Sequence, residues 1–249
     1  MSSQDLSGTT AVVTGASRGF GRAVAAALAH AGANVVGVAR DRARLEDVRA
    51  QLGNTFTPMV ADAADPVVAG QLIDAYQPRT LVLNAGASPL ARPIHQHTWE
   101  TFSRNWHVDV QQVFNWTREA LLHPLAPGSA VIAFSSGAAV KGSPLSGGYA
   151  GAKAAVRFVS SYAAEESERD ALGIKFAAVL PQLTPETDLG AVAVTAYAKR
   201  NAVDATAPNQ SGPVLTPEQV GKAIVELATD PNLDHTAYLL TAAGLSPVS

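Results

Sequence analysis

The chain has 249 residues, of which 47% are hydrophobic and 16% are charged, with a formal net charge of −3. This length can bury a large core, and the composition excludes a disordered or fibrous protein. The slightly acidic balance gives nucleic acid or an anionic membrane no electrostatic reason to bind. Cysteine is absent, which excludes disulfides and thiolate metal sites. With no visible secretory signal or membrane-spanning run, we expect a soluble cytoplasmic protein.

Short apolar runs alternate with longer helical patterns along the chain. The runs are almost continuously apolar, as in strands covered on both faces, and they predict seven strands at 9–15, 34–40, 56–62, 80–86, 129–136, 174–181 and 237–243. Helical patterns lie at 19–31, 41–52, 65–76, 98–122, 149–171 and 216–229. This alternation is typical of βαβ crossovers. It predicts one α/β domain over residues 1–249, with a doubly wound, mostly parallel seven-stranded sheet and helices on both faces.

The longest stretch without a regular pattern is 182–215, which is rich in Pro, Thr, Asn, Gln and Gly. So long a segment, late in a compact domain, is either a functional lid or a solvated surface loop. We expect a lid over a substrate or cofactor.

A glycine-rich segment joins the first predicted strand to the first predicted helix. Gly15 allows a sharp exit from the strand, Gly19 lets the backbone approach a pyrophosphate, and Gly21 lets the helix pack against the sheet. The N-terminus of the helix adds free N–H groups and the positive end of its dipole. Because the glycines stand between a strand and a helix, they favour a dinucleotide-binding turn over a purely structural one.

The end of the second strand bears on the choice of dinucleotide. An acidic residue there would bind the adenosine ribose hydroxyls and repel a 2′-phosphate. Here the strand ends at Ala39 and Arg40, and a second arginine, Arg18, lies in the glycine-rich turn. Two guanidinium groups favour a phosphate, so NADP(H) is the predicted cofactor and NAD(H) the less favoured one. The alternative for Arg40 is an ion pair with the adjacent Asp41.

Tyr149 and Lys153 are four residues apart at the start of a predicted helix, so their side chains share one face. A free phenol loses its proton only at about pH 10, and a nearby ammonium group favours the phenolate that proton transfer requires. The same spacing is also common on solvated helix surfaces. Ser136, however, ends the fifth strand, where ligands of open α/β sheets collect. Its hydroxyl would hold a carbonyl oxygen while the tyrosine exchanges a proton.

Together these motifs resemble the short-chain dehydrogenase/reductase family, in its single-domain branch, along essentially the whole chain. The family's T-G-x-x-x-G-x-G turn matches Thr14 to Gly21, its N-A-G motif matches Asn84 to Gly86, and its Y-x-x-x-K motif matches Tyr149 and Lys153. The resemblance implies a Rossmann-type sheet, a nicotinamide cofactor and pro-S hydride transfer. It also implies a small-molecule carbonyl or alcohol substrate, and a homotetramer or homodimer.

In the resemblance, Tyr149 is the general acid in reduction and the base in oxidation. Lys153 favours its phenolate and binds the nicotinamide ribose, while Ser136 orients the carbonyl. Asn84 stabilises the central strand, and Asp62 contacts the adenine. The implied cofactor-binding residues are Gly15, Ser17, Arg18, Gly19, Phe20, Gly21, Arg40, Asp62, Asn84, Ala85, Gly86, Tyr149, Lys153, Pro181, Thr184 and Thr187.

Asp109 stands where the family commonly has an asparagine, in a pattern like V-N-x-x-x-V-F. That asparagine is thought to act through its main-chain carbonyl, which holds a water toward the lysine. A carbonyl survives the change to aspartate, and we expect the backbone rather than the side chain to approach Lys153. The alternative is a carboxylate that pairs with Lys153 and weakens its effect on Tyr149.

A second departure from the family follows the sixth strand. The family usually has Pro-Gly where this chain has Pro181 and Gln182. A threonine of this loop normally contacts the nicotinamide carboxamide, and Thr184 and Thr187 both qualify.

The substrate pocket is expected along 88–94, 138–146 and 182–210, which are small, apolar and lightly polar. This lining favours a neutral carbonyl compound. His95, His97 and His107 lack the carboxylate that a metal site would need, so no metal is expected. An apolar helix face is predicted to pack in the core or against a second subunit; its residues are Trp99, Phe102, Trp106, Phe114 and Trp116.

The predicted function is therefore hydride transfer between NADP(H) and a carbonyl or alcohol, with Tyr149 as the general acid and base. One alternative is a regulatory protein that binds NADP without turnover, which the two departures favour and the intact Ser136, Tyr149 and Lys153 oppose. Another is a methyltransferase of the same fold, which the N-A-G and Tyr/Lys motifs disfavour.

Overall fold

A computed structural model describes residues 5–202 and 213–248. Within them one sheet has eight strands in the order β3-β2-β1-β4-β5-β6-β7-β8. All neighbours pair in parallel except β7 and β8, which are antiparallel. The strands are β1 (Thr10–Thr14), β2 (Asn34–Ala39), β3 (Phe56–Val60), β4 (Thr80–Leu83), β5 (Ala130–Phe134), β6 (Lys175–Pro181), β7 (Ala237–Thr241) and β8 (Gly244–Pro247).

Helices connect the parallel strands, and side chains expected at helix starts begin several of them. Asp41 and Asp65 each accept a backbone hydrogen bond at the start of a helix, while Thr98 and Thr216 form capping boxes. The helices are α1 (Gly19–His30), α2 (Arg42–Leu52), α3 (Pro66–Tyr76), α4 (Trp99–Ser103), α5 (Gln111–Leu122), α6 (Ala138–Lys141), α7 (Gly147–Arg169), α8 (Asp188–Arg200) and α9 (Pro217–Thr229).

The sheet separates two apolar cores because successive strand residues point to opposite faces. In β4, Leu81 and Leu83 belong to the core beneath α3, α5 and α7, whereas Val82 belongs to the core beneath α1, α2 and α9. The predicted class is thus confirmed: a doubly wound, mostly parallel Rossmann-type sheet covered on both faces.

Strand order reverses at β1, which pairs with β2 on one side and β4 on the other. Crossovers leave in opposite directions from this point, so a crevice opens at the carboxyl ends of the strands. The turns after β1, β4 and β5 therefore converge on one place.

Several elements differ from the sequence prediction, among them the short helix α6, which no pattern predicts. The eighth strand was missed because it is only four residues long, mostly exposed and without an apolar run. The pattern at 98–122 is not one helix but α4, a π-helical segment (Trp106–Val110) and α5. The stretch 182–215 is not irregular throughout, since it contains the 13-residue helix α8; its residues 203–212 lie outside the described part of the chain.

Candidate active site

A cleft of about 1350 Å³ lies at the carboxyl ends of the strands. It collects nearly every residue that the sequence singled out, from the glycine-rich turn to the tyrosine and lysine of α7. Lining residues include Gly15, Ser17, Arg18, Gly19, Phe20, Arg40, Asp62, Asn84, Ala85, Gly86, Asp109, Ser136, Tyr149, Lys153, Pro181, Thr184 and Thr187. Gly21 is not in the lining, because it sits behind the turn against Gly15.

The turn after β1 has the shape that a pyrophosphate requires. Gly15 has a φ of +68°, a conformation that favours glycine, and a Cβ on Gly21 would lie 2.1 Å from the Gly15 carbonyl oxygen. Arg18 is the N-cap of α1, and its side chain makes no capping hydrogen bond. Gly19 and Phe20 at the start of α1 line the cleft, so this helix N-terminus is suited to an anion. This cradle fits a dinucleotide cofactor.

Asn84 ties the end of β4 to the glycine-rich turn. Its side-chain amide donates to the carbonyls of Thr14 and Gly15 at 3.2 and 3.3 Å, and its backbone N–H donates to Thr14 Oγ1 at 2.9 Å. A residue not identified from the sequence completes the network. Gln112 accepts from Thr14 Oγ1 at 2.9 Å and donates to the Ala85 carbonyl at 2.6 Å. Gln112 belongs to none of the motifs in the sequence. Its burial within α5 is what identifies it.

Arg40, which follows β2, pairs with Asp62 and not with the adjacent Asp41. Asp41 accepts from the backbone N–H of Arg44 at 3.1 Å and approaches Arg44 Nε at 3.4 Å. Arg40 instead stands 4.0 Å from Asp62, which follows the neighbouring strand β3. Arg44 also lines this end of the cleft and was not identified from the sequence.

At the opposite side of the turn, Arg18 pairs with Asp188 of α8 at 3.3 Å. Both side chains are more than half exposed, so the pair contributes little to stability. The cleft thus carries the side chains of three arginines near its phosphate-binding end, each loosely matched by an acid.

The two serines after β5 have different surroundings. Ser135 is buried, and its hydroxyl donates to the Lys153 carbonyl at 2.7 Å. Ser136 lines the cleft, where its Oγ accepts from the backbone N–H of Ala138 at 3.2 Å. Its hydroxyl proton is therefore free to be donated, which a carbonyl-binding group needs.

Lys153 lies at the floor of the cleft with only 7% of its side chain exposed. Its Nζ donates to the Phe134 carbonyl at 2.8 Å and stands 5.5 Å from the centre of the half-buried Tyr149 ring. Burial lowers the pKa of Lys153, but the Asp109 carboxylate and Tyr149 raise it more, so the net pKa lies above the ordinary 10.5. The lysine is therefore a cation at neutral pH, beside the phenol.

The expectation that only the backbone of Asp109 approaches Lys153 is wrong. Asp109 Oδ2 is 3.1 Å from Lys153 Nζ, and the carboxylate side chain is 1% exposed. The carbonyl of Asn105 accepts from the N–H groups of both Asp109 and Val110, which widens this turn into the π-helical segment. The sequence pattern predicts a regular helix here. The structure has one extra residue in this turn, and in it the Asp109 carboxylate points inward to Lys153.

The two candidate threonines after β6 make different hydrogen bonds. Thr184 is buried, and its hydroxyl donates to the Leu215 carbonyl at 2.7 Å. Thr187 caps α8 by accepting from Gly190 N–H at 3.1 Å, and its methyl group faces Gly19 of the glycine-rich turn. Both line the cleft.

The substrate end of the cleft combines hydroxyl groups with small apolar side chains. Ser143 Oγ lies 2.5 Å from both Ser146 Oγ and Tyr197 Oη, so the loop before α7 is tied to α8. Ser88 and Pro89 line the same end, as does most of 138–146. Tyr197 and Ser143 fall within two of the stretches predicted to line the substrate pocket, 182–210 and 138–146. Their contact is not predicted, since the two residues are 54 positions apart.

The aromatic residues predicted to form one apolar helix face differ in their exposure. Trp116 is fully buried in the core, whereas Trp99, Trp106 and Phe114 are exposed. Within residues 5–202 and 213–248, no group of three His, Asp or Glu side chains is placed to hold a metal. In the same part of the chain, no helix combines the length and apolarity needed to cross a membrane.

Comparison with known proteins identifies the family of the chain. The sequence profile of the family described as short chain dehydrogenase matches residues 9–197. The L-xylulose reductase of Mesocricetus auratus is 33% identical over 129 residues, covering 51% of this chain and 52% of that protein. The probable NADP-dependent dehydrogenase of Haemophilus influenzae is 32% identical over 123 residues, covering 47% of this chain and 49% of that protein. The chain thus spans about half the length of these curated relatives.

A solved structure covers more of the chain. The 3-ketoacyl-(acyl-carrier-protein) reductase from Brucella melitensis, complexed with NADH, aligns with a TM-score of 0.75 and 26% identity. The alignment covers 92% of this chain and 94% of that one. A Rossmann-type sheet with this cleft defines a class of dinucleotide-binding proteins. Within that class, the chain belongs to the short-chain dehydrogenase/reductase family.

Proposed function

We propose that the protein is an oxidoreductase that interconverts a carbonyl compound and an alcohol with a nicotinamide cofactor, NADP(H) in preference to NAD(H). The observation that carries this proposal is one cleft holding a dinucleotide cradle together with Ser136, Tyr149 and Lys153. A regulator that only binds the dinucleotide would have little need of all three side chains.

The chain's own groups supply the proton and the alignment of the substrate. Ser136 donates a hydrogen bond to the substrate carbonyl oxygen, and in reduction Tyr149 gives its phenolic proton to that oxygen. Lys153, held charged in a buried position, stabilises the phenolate that remains. When bound, the reduced nicotinamide supplies the hydride.

The direct test is a screen of small carbonyl compounds that follows NADPH and NADH consumption side by side. Neutral ketones and aldehydes are the first choice, because the substrate end is lined by small apolar side chains and hydroxyls. The relative named L-xylulose reductase makes small keto sugars part of the panel. Tight dinucleotide binding without turnover of any compound would favour the regulatory alternative.

The preference for NADP(H) rests on Arg40, Arg44 and Arg18, which line the cleft while Ala39 leaves the end of β2 uncharged. The relative from Haemophilus influenzae is named NADP-dependent, whereas the Brucella structure holds NADH, so the comparison supports a nicotinamide cofactor in either form. Guanidinium groups bind a 2′-phosphate more strongly than ribose hydroxyls.

Replacing Ala39 with Asp tests the preference, because a carboxylate at the end of β2 repels the 2′-phosphate. The expected result is a fall in kcat/KM for NADPH and a rise for NADH. Ala39→Asn, of similar size but neutral, is the control and should keep the preference. A wild-type enzyme that already uses NADH better would contradict the assignment.

We further infer that residues 183–200 act as a lid over the substrate. The Tyr197–Ser143 hydroxyl pair and the Thr184–Leu215 hydrogen bond hold the segment across the cleft. Its exposed apolar residues, Leu183, Leu189 and Val192, are suited to meeting an apolar substrate body.

We also propose that the working enzyme is an assembly of identical subunits, a dimer or tetramer. Apolar side chains remain exposed on α5 and α7, which cover one face of the sheet: Phe114, Leu122, Phe158 and Tyr162. A second copy of the chain would bury them.

A further inference from the structure

The Lys153 ammonium group faces a carbonyl, a carboxylate and an aromatic ring. It donates a hydrogen bond to the Phe134 carbonyl at 2.8 Å. Asp109 Oδ2 lies 3.1 Å from Nζ as an ion pair rather than as a well-directed hydrogen bond. The positive charge of Lys153 therefore faces the Asp109 carboxylate as well as the Tyr149 ring.

The Asp109 carboxylate is held in place from three directions. Its Oδ1 accepts from the Ala87 backbone N–H at 2.8 Å and from Asn105 Nδ2 at 3.4 Å. Asn105 is itself anchored by a 2.7 Å hydrogen bond to the Ala87 carbonyl. A Cβ on Gly86 would lie 2.9 Å from Asp109 Oδ2, so the glycine of the N-A-G motif makes room for the carboxylate. Such a buried, fixed contact is not a chance surface pair.

We propose that Asp109 is a positioning residue that offsets the Lys153 charge, so that Lys153 favours the Tyr149 phenolate less than an unpaired ammonium would, which adapts the site to carbonyl reduction. The inference rests on the proposed function. In that direction the phenolic O–H bond breaks and its proton joins the substrate oxygen, while the hydride from the reduced cofactor joins the carbonyl carbon. Solvent then returns a proton to the phenolate.

The physical reason is the cancellation of two nearby charges. An isolated ammonium group beside a phenol favours the phenolate, whereas an ammonium paired with a carboxylate at 3.1 Å exerts a much weaker field. The groups described here as facing the Lys153 ammonium come from three elements: Asp109 from the π-helical segment, Tyr149 from α7 and the uncharged Phe134 carbonyl from β5. A further cation in the lining of the same cleft is Lys141 of α6.

Asp109→Asn tests the inference, because it removes the charge and keeps the size and an acceptor for the Ala87 N–H. Tyr149 can be titrated by phenolate absorbance without any substrate, as the difference between the protein and its Tyr149→Phe form. The midpoint of this titration should fall by roughly one pH unit in the Asp109→Asn background. The midpoint of kcat for alcohol oxidation should fall with it.

Asp74→Asn is the matched control, since Asp74 is exposed on α3 and its loss changes the net charge equally. It should leave both midpoints in place. Where Asp109→Asn fails to fold, Asp109→Ser removes the same charge and keeps a hydroxyl acceptor, and the same titration applies to it.

An unmoved phenolate midpoint in a folded variant overturns the inference, as does a loss of kcat that is equal at every pH. The absorbance titration also separates the inference from the function on which it rests. A shift without turnover of any carbonyl overturns only the proposed function. Turnover with an unmoved midpoint overturns only the role of Asp109.

Discussion

Two adjacent serines of this site have different contacts because their side chains point to opposite sides of the chain. Ser135 and Ser136 follow β5 and are chemically identical, yet Ser135 is buried against the Lys153 carbonyl and Ser136 lines the cleft. The side-chain period of two in extended backbone sends them to opposite sides. One serine therefore holds α7 in place while the other is available to a substrate.

Tyr149→Phe should abolish most turnover and leave dinucleotide binding nearly intact. The ring and its packing remain, and only the transferable proton is lost. A positioned acid or base contributes on the order of a hundred- to ten-thousand-fold in rate, and kcat should fall by that factor. Steady-state kinetics and dinucleotide titration provide the measurement. Tyr76→Phe, outside the cleft on α3, is the control, and near-normal kcat in folded Tyr149→Phe would remove Tyr149 from the mechanism.

Lys153→Met should destabilise the protein as well as slow it, since the buried Asp109 carboxylate loses its cation. Breaking a buried pair from one side costs about 3–5 kcal/mol in the free energy of unfolding. Urea unfolding followed by circular dichroism measures this loss. The double variant Asp109→Asn/Lys153→Met should recover part of it, and purely additive effects would show that the pair is not coupled.

The raised pKa of Lys153 defines where this contribution depends on pH. Because the folded-state pKa lies above the ordinary 10.5, the stabilisation is complete below about that pH. It is lost only as the pH rises through the folded-state value. Lys153 itself should therefore add no slope to a plot of the wild-type unfolding free energy against pH across the neutral range.

At the scale of elements, α8 gives regular structure to part of a stretch that reads as a loop, and several of its residues line the cleft. Its start is capped by Thr187, and Arg18 pairs with its first residue, Asp188. Near its other end, Tyr197 contacts Ser143 of the loop before α7. The helix is thus held at the phosphate-binding end and at the substrate end.

Tyr197→Phe tests the lid, because it removes the hydroxyl contact with Ser143 and keeps the ring. The expected result is a rise in substrate KM of about fivefold, the loss of one hydrogen bond worth about 1 kcal/mol, with a smaller change in kcat. Steady-state kinetics against the best substrate of the screen gives both values. An unchanged KM would contradict a closing role for this contact.

At the scale of the whole molecule, large apolar side chains are exposed on α7, on one face of the sheet. The ring of Phe158 stacks on Tyr162 one helical turn away at 6.1 Å, and these side chains are 53% and 59% exposed. The exposed charged residues of α7 lie in its last turns, at Glu165, Glu168 and Arg169. The apolar pair before them is therefore proposed as a contact for a second subunit.

Phe158→Glu should shift the protein toward monomer at a given concentration, because it places a charge in the proposed contact. Analytical ultracentrifugation measures the change. Val67→Glu introduces the same charge at an exposed apolar position of α3 and should leave the assembly unaltered. Identical sedimentation of Phe158→Glu and wild type would exclude this face as the contact.

The sequence by itself determined the class of fold and most of the residues in the cleft. Apolar strand runs and helix starts are local signals, and the glycines around Gly21 reflect a steric demand of one turn. The match of Tyr149 and Lys153 to one helix face follows from helical spacing alone. Each of these features depends on residues within a few positions of one another.

Tertiary structure decided the features that need distant residues to meet. Whether the carboxylate or the backbone of Asp109 approaches Lys153 depends on a widened helical turn and on Asn105 and Ala87. The Tyr197–Ser143 contact likewise joins segments 54 residues apart. A local pattern specifies backbone conformation and which side is apolar. The direction of one buried charge is set by which groups the whole fold places around it, because an unpaired charge in the interior costs several kcal/mol.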